Sequence, residues 1–420
     1  MDISLKSCSL LDVKRLRGML DLRGVFCFDA FDTGLFPAVG RGSATERTSG
    51  YRSVWVRDNV HIAWAHFVAG RPKAAMRNAA ALCDFFETQS ARFDAVIAAG
   101  RAPRDPMARP HIRFDGTDGH EIDDRWPHAQ NDALGAFVWF VGKLTAAGVL
   151  PMNEQRATLL NRLIRYFEAV AFWQDEESGH WEEQRKISAS SIGAVVAGLG
   201  ALCAPEVREA LCRHGVQIDL AEALHRKAVR ALSNILPREC VQADPQKSRK
   251  TDAALLFLAD PFDILDLEMT TQILADVTGT LQGAHGISRY ALDSYWGPDF
   301  RSIPAEKRTA DLSEDIIQRD AYAAAGREAQ WCIFDSVVSI IYSKLYRNRR
   351  RPSDLEAQIA YLNRALSQLT EAPDGSGRLL LPEAYFEEAG VWVPNDHLPL
   401  QWAHANLLRA MCAMEESLTS

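Results

Sequence analysis

Apolar residues recur at three- and four-residue spacing along almost the whole chain. Met76, Ala79, Cys83 and Phe86 follow it, as do Leu134, Phe137, Val141 and Leu144. Leu159, Leu163, Phe167 and Val170 repeat it, and so do Ile333, Val337, Ile340 and Leu345. That spacing places each set on one face of an α-helix. Residues 353–370 and 396–416 read as further helices. Strand patterns are few and short, with residues 377–382 the best of them. Roughly twelve to fourteen helices are predicted, with no long low-complexity linker between them. Gly148-Val149-Leu150-Pro151 stops one helix, and Gly70-Arg71-Pro72 separates two others. Two long stretches rich in Gly, Asp and Pro, residues 100–128 and 286–312, interrupt the helical pattern. Long structured loops inside a helical chain are often functional. No sharp internal repeat is visible, so a ring of helical hairpins would have to be built from diverged units.

Composition changes this picture only by exclusion. The 420 residues are 47% hydrophobic and 24% charged, which is globular and enough for a large core without covalent staples. A net charge of −8 argues against a nucleic-acid partner, because phosphate binding needs a basic face. The one basic run, residues 347–351, reads as a solvated inter-helix loop. Eight cysteines stand at positions 8, 27, 83, 203, 212, 240, 332 and 412, none in a C-x-x-C pair, so no metal is expected. Several lie inside apolar helical stretches, where a free thiol acts as a small hydrophobe; this fits a reducing compartment. The chain opens Met1-Asp2-Ile3 with no charged segment leading into an apolar run, and no membrane span is evident. A cytoplasmic protein without a membrane partner is the expectation.

Four segments set tryptophan beside charged or amide residues. In Trp55-Val56-Arg57-Asp58, an arginine and an aspartate at a helix start can present donors and an acceptor together, as sugar hydroxyls require. The same pair also fits an ordinary helix N-terminus with a local ion pair. Trp126-Pro127-His128-Ala129-Gln130-Asn131-Asp132 offers an aromatic face and polar side chains just after the 100–128 loop. Its plainer reading is a helix cap supplied by Asn131 or Asp132. His180-Trp181-Glu182-Glu183 leads into Ala189-Ser190-Ser191-Ile192-Gly193 at the start of an apolar helix. Adjacent carboxylates beside an indole can push one of them toward the range of a general acid. Asp175, Glu176 and Glu177 upstream make a solvated acidic loop the competing reading. In Leu381-Pro382-Glu383-Ala384-Tyr385-Phe386, a lone glutamate between proline and aromatics suggests a fixed carboxylate, with Glu387 and Glu388 as surface neighbours. Two carboxylates flanking a glycosidic bond are the recurring machinery of glycoside hydrolysis: one protonates the departing oxygen, the other activates water on the opposite face of the ring.

Taken together and in this order, the segments resemble glycoside hydrolase family 15, the glucoamylase family, and within it the phosphorylase-kinase-alpha-like branch. Residues 31–38, Phe-Asp-Thr-Gly-Leu-Phe-Pro-Ala, resemble that branch's opening loop, and residues 328–335 with Trp331 its later tryptophan helix. The resemblance implies an all-α (α/α)6 barrel, the six-hairpin glycosidase toroid, over residues 1–420 as one catalytic domain. It implies an inverting hydrolase acting on a terminal α-linked glucose, with Glu182 as general acid and Glu383 as general base. Arg57 and Asp58 would bind the terminal glucose, with Trp126 and Trp181 walling the pocket and Trp55, Gln130, Asp132 and Trp331 around it. Glu183 and Arg289 would contact sugar hydroxyls. A small carbohydrate is the implied partner, with no cofactor. The β-sandwich domain of many bacterial members and the long C-terminal region of the kinase subunits have no counterpart in these residues. The kinase subunits are regulatory, so a non-catalytic carbohydrate sensor on the same barrel is the alternative. A phosphorylase or glycosyltransferase on that barrel is another. Calcium binding by Asp115, Asp118, Glu121, Asp123 and Asp124 is a third, though the spacing does not fit an EF-hand loop.

Overall fold

The computed structural model describes residues 3–5, 9–40, 50–304, 321 and 323–419. Cys8 and residues 305–312 of the second long loop lie outside the described residues. In chain order the helices are α1 (Leu10–Leu22), α2 (Val56–Val68), α3 (Pro72–Thr88), α4 (Ser90–Ala99), α5 (Asn131–Ala146), α6 (Glu154–Val170) and α7 (Ala189–Cys203). They continue with α8 (Pro205–Arg213), α9 (Ile218–Ser233), α10 (Leu256–Ala259), α11 (Leu267–Leu281), α12 (Phe334–Arg349), α13 (Pro352–Ser367) and α14 (Gln401–Thr419).

Six of these close a ring. Helix α2 packs on α5, α5 on α7, α7 on α10, α10 on α12, α12 on α14, and α14 returns to α2. A second layer lies outside: α1 against α14, α3 against α2, α6 against α5, α9 against α7, α11 against α10 and α13 against α12. The fold is an (α/α)6 barrel. The sequence explains the two layers. Inner α7 buries nearly every residue, and so does α5, because each is covered by ring neighbours and by the outer layer. Outer α9 buries one stripe, Ile218, Ala221, Leu224, Ala228 and Leu232, and leaves its polar face to water. The α5–α7 pair approaches backbone to backbone: a Cβ at Gly135 would sit 2.5 Å from the Val195 nitrogen, and one at Gly198 2.6 Å from the Gly135 oxygen. Glycine at these positions is what permits that spacing.

Seven short strands lie between the helices: β1 (Val54–Trp55), β2 (Arg113–Phe114), β3 (Gln330–Trp331), β4 (Thr370–Glu371), β5 (Leu379–Leu380), β6 (Ala384–Glu388) and β7 (Val391–Pro394). All pairings are antiparallel: β1 with β2, β4 with β5, and a three-stranded sheet in the order β3-β6-β7.

Several details depart from the sequence reading. Met76 is 36% exposed, so the inward stripe of α3 runs through Ala75, Ala79, Leu82, Cys83 and Phe86 instead. The last helix starts at Gln401 and not near 396, because residues 395–400 continue in non-helical conformation after β7. The β6–β7 hairpin has too few alternating positions to stand out as a strand pair. The acidic stretch does not converge on one point: Glu121 pairs with Arg92, Asp118 with His120 and Asp124 with Arg113. Among the described residues no cluster of His, Cys, Asp and Glu could hold a metal ion, and no single helix is long and apolar enough to cross a membrane.

Candidate active site

Inner helices α2, α5, α7 and α12 begin within segments singled out in the sequence, residues 55–58, 126–132, 180–193 and 328–335, and α14 follows the segment 381–386 after the β6–β7 hairpin. The ring therefore gathers five distant stretches of chain at the N-terminal end of its inner helices. There the helix dipoles make the surroundings favourable to carboxylates.

On one side lies Glu182. It sits at φ +57° in a turn where its N–H donates to the Gly179 carbonyl at 3.3 Å. A non-glycine residue in the left-handed region is uncommon and concentrates at functional sites. Its Oε1 accepts from the Trp55 indole N–H at 3.0 Å and from Gln130 Nε2 at 3.3 Å, with Arg57 Nη2 at 3.5 Å. Its side chain keeps 15% exposure, whereas Arg57 is nearly sealed at 6%. Arg57 Nη1 donates to Asp132 Oδ2 at 2.7 Å and Gln130 Oε1 at 3.1 Å. Burial opposes ionisation of Asp132, but His180 and Arg57 beside it overcome that and hold its carboxyl below the usual range. Trp126 meets Trp55 edge-on at 5.8 Å, and the Arg113 guanidinium lies 4.1 Å from the Trp126 ring and 5.1 Å from the Trp55 ring. Arg113 is itself tied to Asp124 at 2.6 Å, which fixes the 100–128 loop against this wall. Neither Asn131 nor Asp132 caps α5. The Asn131 N–H donates to Glu177 Oε2 at 2.9 Å, so the cap comes from the next loop. Asp175 and Glu177 are buried, and only Glu176 of that acidic run is exposed.

On the other side Glu383 is 3% exposed. The β6–β7 register places it: Tyr385 pairs with Pro394, Asn395 N–H donates to the Ala384 carbonyl at 2.9 Å, and Glu383 N–H to the His397 carbonyl at 3.0 Å. Asn395 Nδ2 then reaches Glu383 Oε2 at 2.8 Å and His397 Nδ1 lies 2.7 Å from the same oxygen. Tyr51 O–H donates to Oε1 at 2.9 Å, and Tyr295 O–H lies 3.5 Å from Oε2. Burial alone would raise this carboxyl, but His397, Tyr51 and Asn395 more than offset it, and Glu383 is held below the usual carboxylate range.

Asp58 is within electrostatic reach of both. It is buried, and its carboxyl makes no hydrogen bond to another side chain among the described residues. Burial pushes it up to about 7; Arg57 opposes this, while Glu182 and Glu383 both add to it, so both carboxylates lie within electrostatic reach. A third wall is aromatic. Trp181 and Trp331 have ring centroids 5.7 Å apart, and the Arg289 guanidinium lies 5.2 Å from Trp181 and 4.9 Å from both Trp331 and Tyr295. Arg289 is aimed by a bidentate pair with Asp293 at 2.6 and 2.7 Å. Trp181 donates its indole N–H to Asp252 at 2.9 Å.

One expectation changes here. Glu183 was expected to press a proton onto its neighbour, yet Lys186 and Arg249 each contact its Oε1 at 2.6 Å. Although burial opposes ionisation, those two cations hold Glu183 well below the usual range. The negative charge of Glu183 is therefore already neutralised within the protein. Arg57 has Nη1 committed to Asp132 and Gln130, with Nη2 3.5 Å from Glu182 Oε1. Tyr51, Tyr295, Asn395, His397 and Arg113 were not picked out from the sequence. The polar run Asn395-Asp396-His397 between a hairpin and a proline was the available signal for two of them.

The model of the glycosyl hydrolases family 15 matches residues 22–409. The chain belongs to that family. Among curated proteins, probable phosphorylase b kinase regulatory subunit alpha of Caenorhabditis elegans is 27% identical over 385 residues, covering 83% of this chain and 28% of that protein. Its Drosophila melanogaster counterpart is 24% identical over 387 residues, covering 84% and 28%. This family 15 chain thus spans under a third of the length of those relatives. Among solved structures, a wild-type glycosidase superposes with a TM-score of 0.69 at 20% identity, covering 99% of both chains. Glucoamylase from Saccharomycopsis fibuligera does so with 0.60 at 13% identity, covering 97% of this chain and 96% of that one. These likenesses are to the barrel fold.

Proposed function

We propose that this family 15 chain is an inverting glycoside hydrolase that releases a terminal α-linked glucose from an oligosaccharide or glucoside, with Glu182 as general acid and Glu383 as general base. The observation that carries this reading is Glu383 itself: a buried carboxylate held ionised by Tyr51, Asn395 and His397. A barrel core has no use for such a group, whereas a base that takes a proton from water must be ionised and fixed. Glu182 acts electrostatically on the same Asp58 as Glu383 does, and it keeps enough exposure to reach a departing oxygen. Asp58 offers an open acceptor to a sugar hydroxyl, and Trp126, Trp181 and Trp331 offer faces to its C–H surfaces. In an inverting scheme the two carboxyls stand far enough apart for a water to enter between base and anomeric carbon, about 6.5–9.5 Å. Proton transfer from Glu182 to the leaving oxygen and from water to Glu383 would then complete the displacement.

The direct test is proton NMR of the first product from an α-glucoside, with a panel of disaccharides and maltooligosaccharides to find the substrate. β-Glucose is expected first; α-glucose first would remove both the inverting scheme and the base role of Glu383. The names of the curated relatives favour a second reading, a non-catalytic carbohydrate-binding regulator. It predicts saturable sugar binding with no turnover of any member of the panel.

A further inference from the structure

We propose that Arg249 is a positioning residue for the acid: one guanidinium nitrogen braces the two residues that flank Glu182 in the chain, Glu183 directly and Trp181 through Asp252. This rests on the reading of Glu182 as general acid. Arg249 Nη1 donates to Glu183 Oε1 at 2.6 Å and to Asp252 Oδ2 at 2.7 Å. The other oxygen of Asp252 accepts the Trp181 indole N–H at 2.9 Å and the Ala254 N–H at 2.8 Å. Glu182 lies between these two anchored neighbours with its backbone at φ +57°. A residue other than glycine holds that conformation only where its surroundings over-determine it. The backbone bonds of the turn are long, 3.3 Å from the Glu182 N–H to the Gly179 carbonyl and 3.2 Å from the Glu183 N–H to the Ser178 carbonyl. The side-chain anchors on either side supply the short, charge-assisted bonds that the turn itself lacks.

Arg249 is itself held in place. Its backbone exchanges both hydrogen bonds with Cys240, at 3.1 and 2.9 Å, and the carbonyl of the adjoining Glu239 accepts the Ala189 N–H at the start of α7 at 2.8 Å. Its guanidinium lies 3.4 Å from the centre of the Tyr290 ring. Trp181, Glu183 and Asp252 are all buried, so the bonds among them are little weakened by water. Lys186 provides the contrast. It reaches the same Glu183 oxygen at 2.6 Å, but its other bond goes to the Gln184 carbonyl and not to Asp252. Lys186 therefore holds one neighbour of the acid, and Arg249 holds both.

The measurement is kcat of the full chain on two aryl α-glucosides: dinitrophenyl, whose leaving group departs without a proton, and phenyl, whose leaving group needs one. A displaced acid slows the second and spares the first. Loss of folded protein lowers both in proportion and leaves their ratio alone. Arg249→Met is expected to lower kcat on phenyl α-glucoside about tenfold or more and to change the dinitrophenyl rate by less than about threefold, because a small displacement of a reacting group is costly only where that group acts. Lys186→Met should move the ratio less, since Trp181 stays braced. If Arg249→Met does not fold, Asp252→Asn carries the same test: its amide oxygen still accepts from Trp181 while its NH2 faces Arg249 and breaks the link, and the ratio should move in the same direction. An unmoved ratio in Arg249→Met, or in Asp252→Asn where that stands in for it, overturns the proposal, and so does a shift in Lys186→Met as large as the one in Arg249→Met. Glu182→Gln separates the two failures. If it leaves the ratio unchanged, or if the parent turns over neither glucoside, the acid reading is wrong and the role of Arg249 falls with it; if Glu182→Gln alone moves the ratio, only the role of Arg249 is wrong.

Discussion

Asp58 and Glu182 lie within electrostatic reach of each other, yet their surroundings differ. Glu182 Oε1 is crowded with donors from Trp55, Gln130 and Arg57, while the Asp58 carboxyl makes no hydrogen bond to another side chain among the described residues. Under the proposed function a substrate hydroxyl would complete Asp58, and a dry site built to bind a hydroxyl loses heavily when its partner changes. Asp58→Asn is therefore expected to lower kcat/KM by about a hundredfold or more, and unchanged kinetics would remove Asp58 from the sugar pocket. Glu182→Gln should cost most on substrates with poor leaving groups and least on activated aryl glucosides, since only the former need protonation at departure; Glu383→Gln should cost activity on both. A Glu182→Gln variant equally slow on both classes would argue against the acid role. The sequence exposed Glu182, Glu383 and Asp58 because each stands beside a tryptophan, a proline or an arginine in a short stretch. It did not expose Tyr51, Tyr295 or His397. Those residues acquire meaning only when three separate loops meet at one carboxylate, and no local spacing encodes that meeting.

At the scale of elements, the helices were legible because burial imposes a period, and the pattern is strongest where one face meets a core. Outer α9 shows this well, whereas inner α5 and α7, buried all round, show less periodicity than continuous apolarity. The β6–β7 hairpin was not legible: its few residues alternate weakly, and its value lies in register. That register sets Glu383 opposite His397 and Asn395, so one residue of slip would turn the carboxylate away from all its donors. The α5–α7 contact gives a sharper test. Glycine costs helix propensity, so its presence at positions 135 and 198 needs a gain elsewhere, and that gain is backbone approach. Gly135→Ala would drive a methyl into the Val195 backbone, which cannot swing aside as a side chain can. The variant is expected to lose about 1–3 kcal/mol or more by overpacking, read as a lower denaturant midpoint. Gly148→Ala is the contrast: its Cβ meets nothing within 4 Å, so any cost there comes from its φ of +68°.

For the whole molecule, several carboxylates inside the fold are held by arginines. Arg109 grips Asp175 with two bonds of 2.7 and 2.9 Å, Arg409 holds Asp260, and Arg364 holds Asp335. Two buried glutamates do something else: Glu177 accepts from the first N–H of α5, and Glu239 from the Ser190 N–H and hydroxyl at the start of α7. Among the described residues neither forms a salt bridge. Burial pushes Glu177 up to about 8, with the nearby Asp132 charge adding to it. Asp132 keeps its charge because it has Arg57 and His180, so the proton of the pair resides on Glu177. The consequence for stability follows from the sign. The folded chain keeps a proton on Glu177 that the unfolded chain releases once pH passes the ordinary value of 4.5. Folding is therefore favoured at low pH by this group, and that contribution is lost as pH rises from about 4.5 to about 8. Within this window the equilibrium constant for folding should fall roughly tenfold per pH unit on account of Glu177 alone. Glu239 and Asp58 shift in the same direction and share the total slope. The difference between parent and Glu177→Gln isolates one of them, since glutamine keeps an acceptor for the Asn131 N–H without titrating. Denaturant unfolding at pH 5 and pH 8 should show the variant gaining on the parent as pH rises; a parallel pair of pH profiles would mean that Glu177 is ionised in the folded barrel.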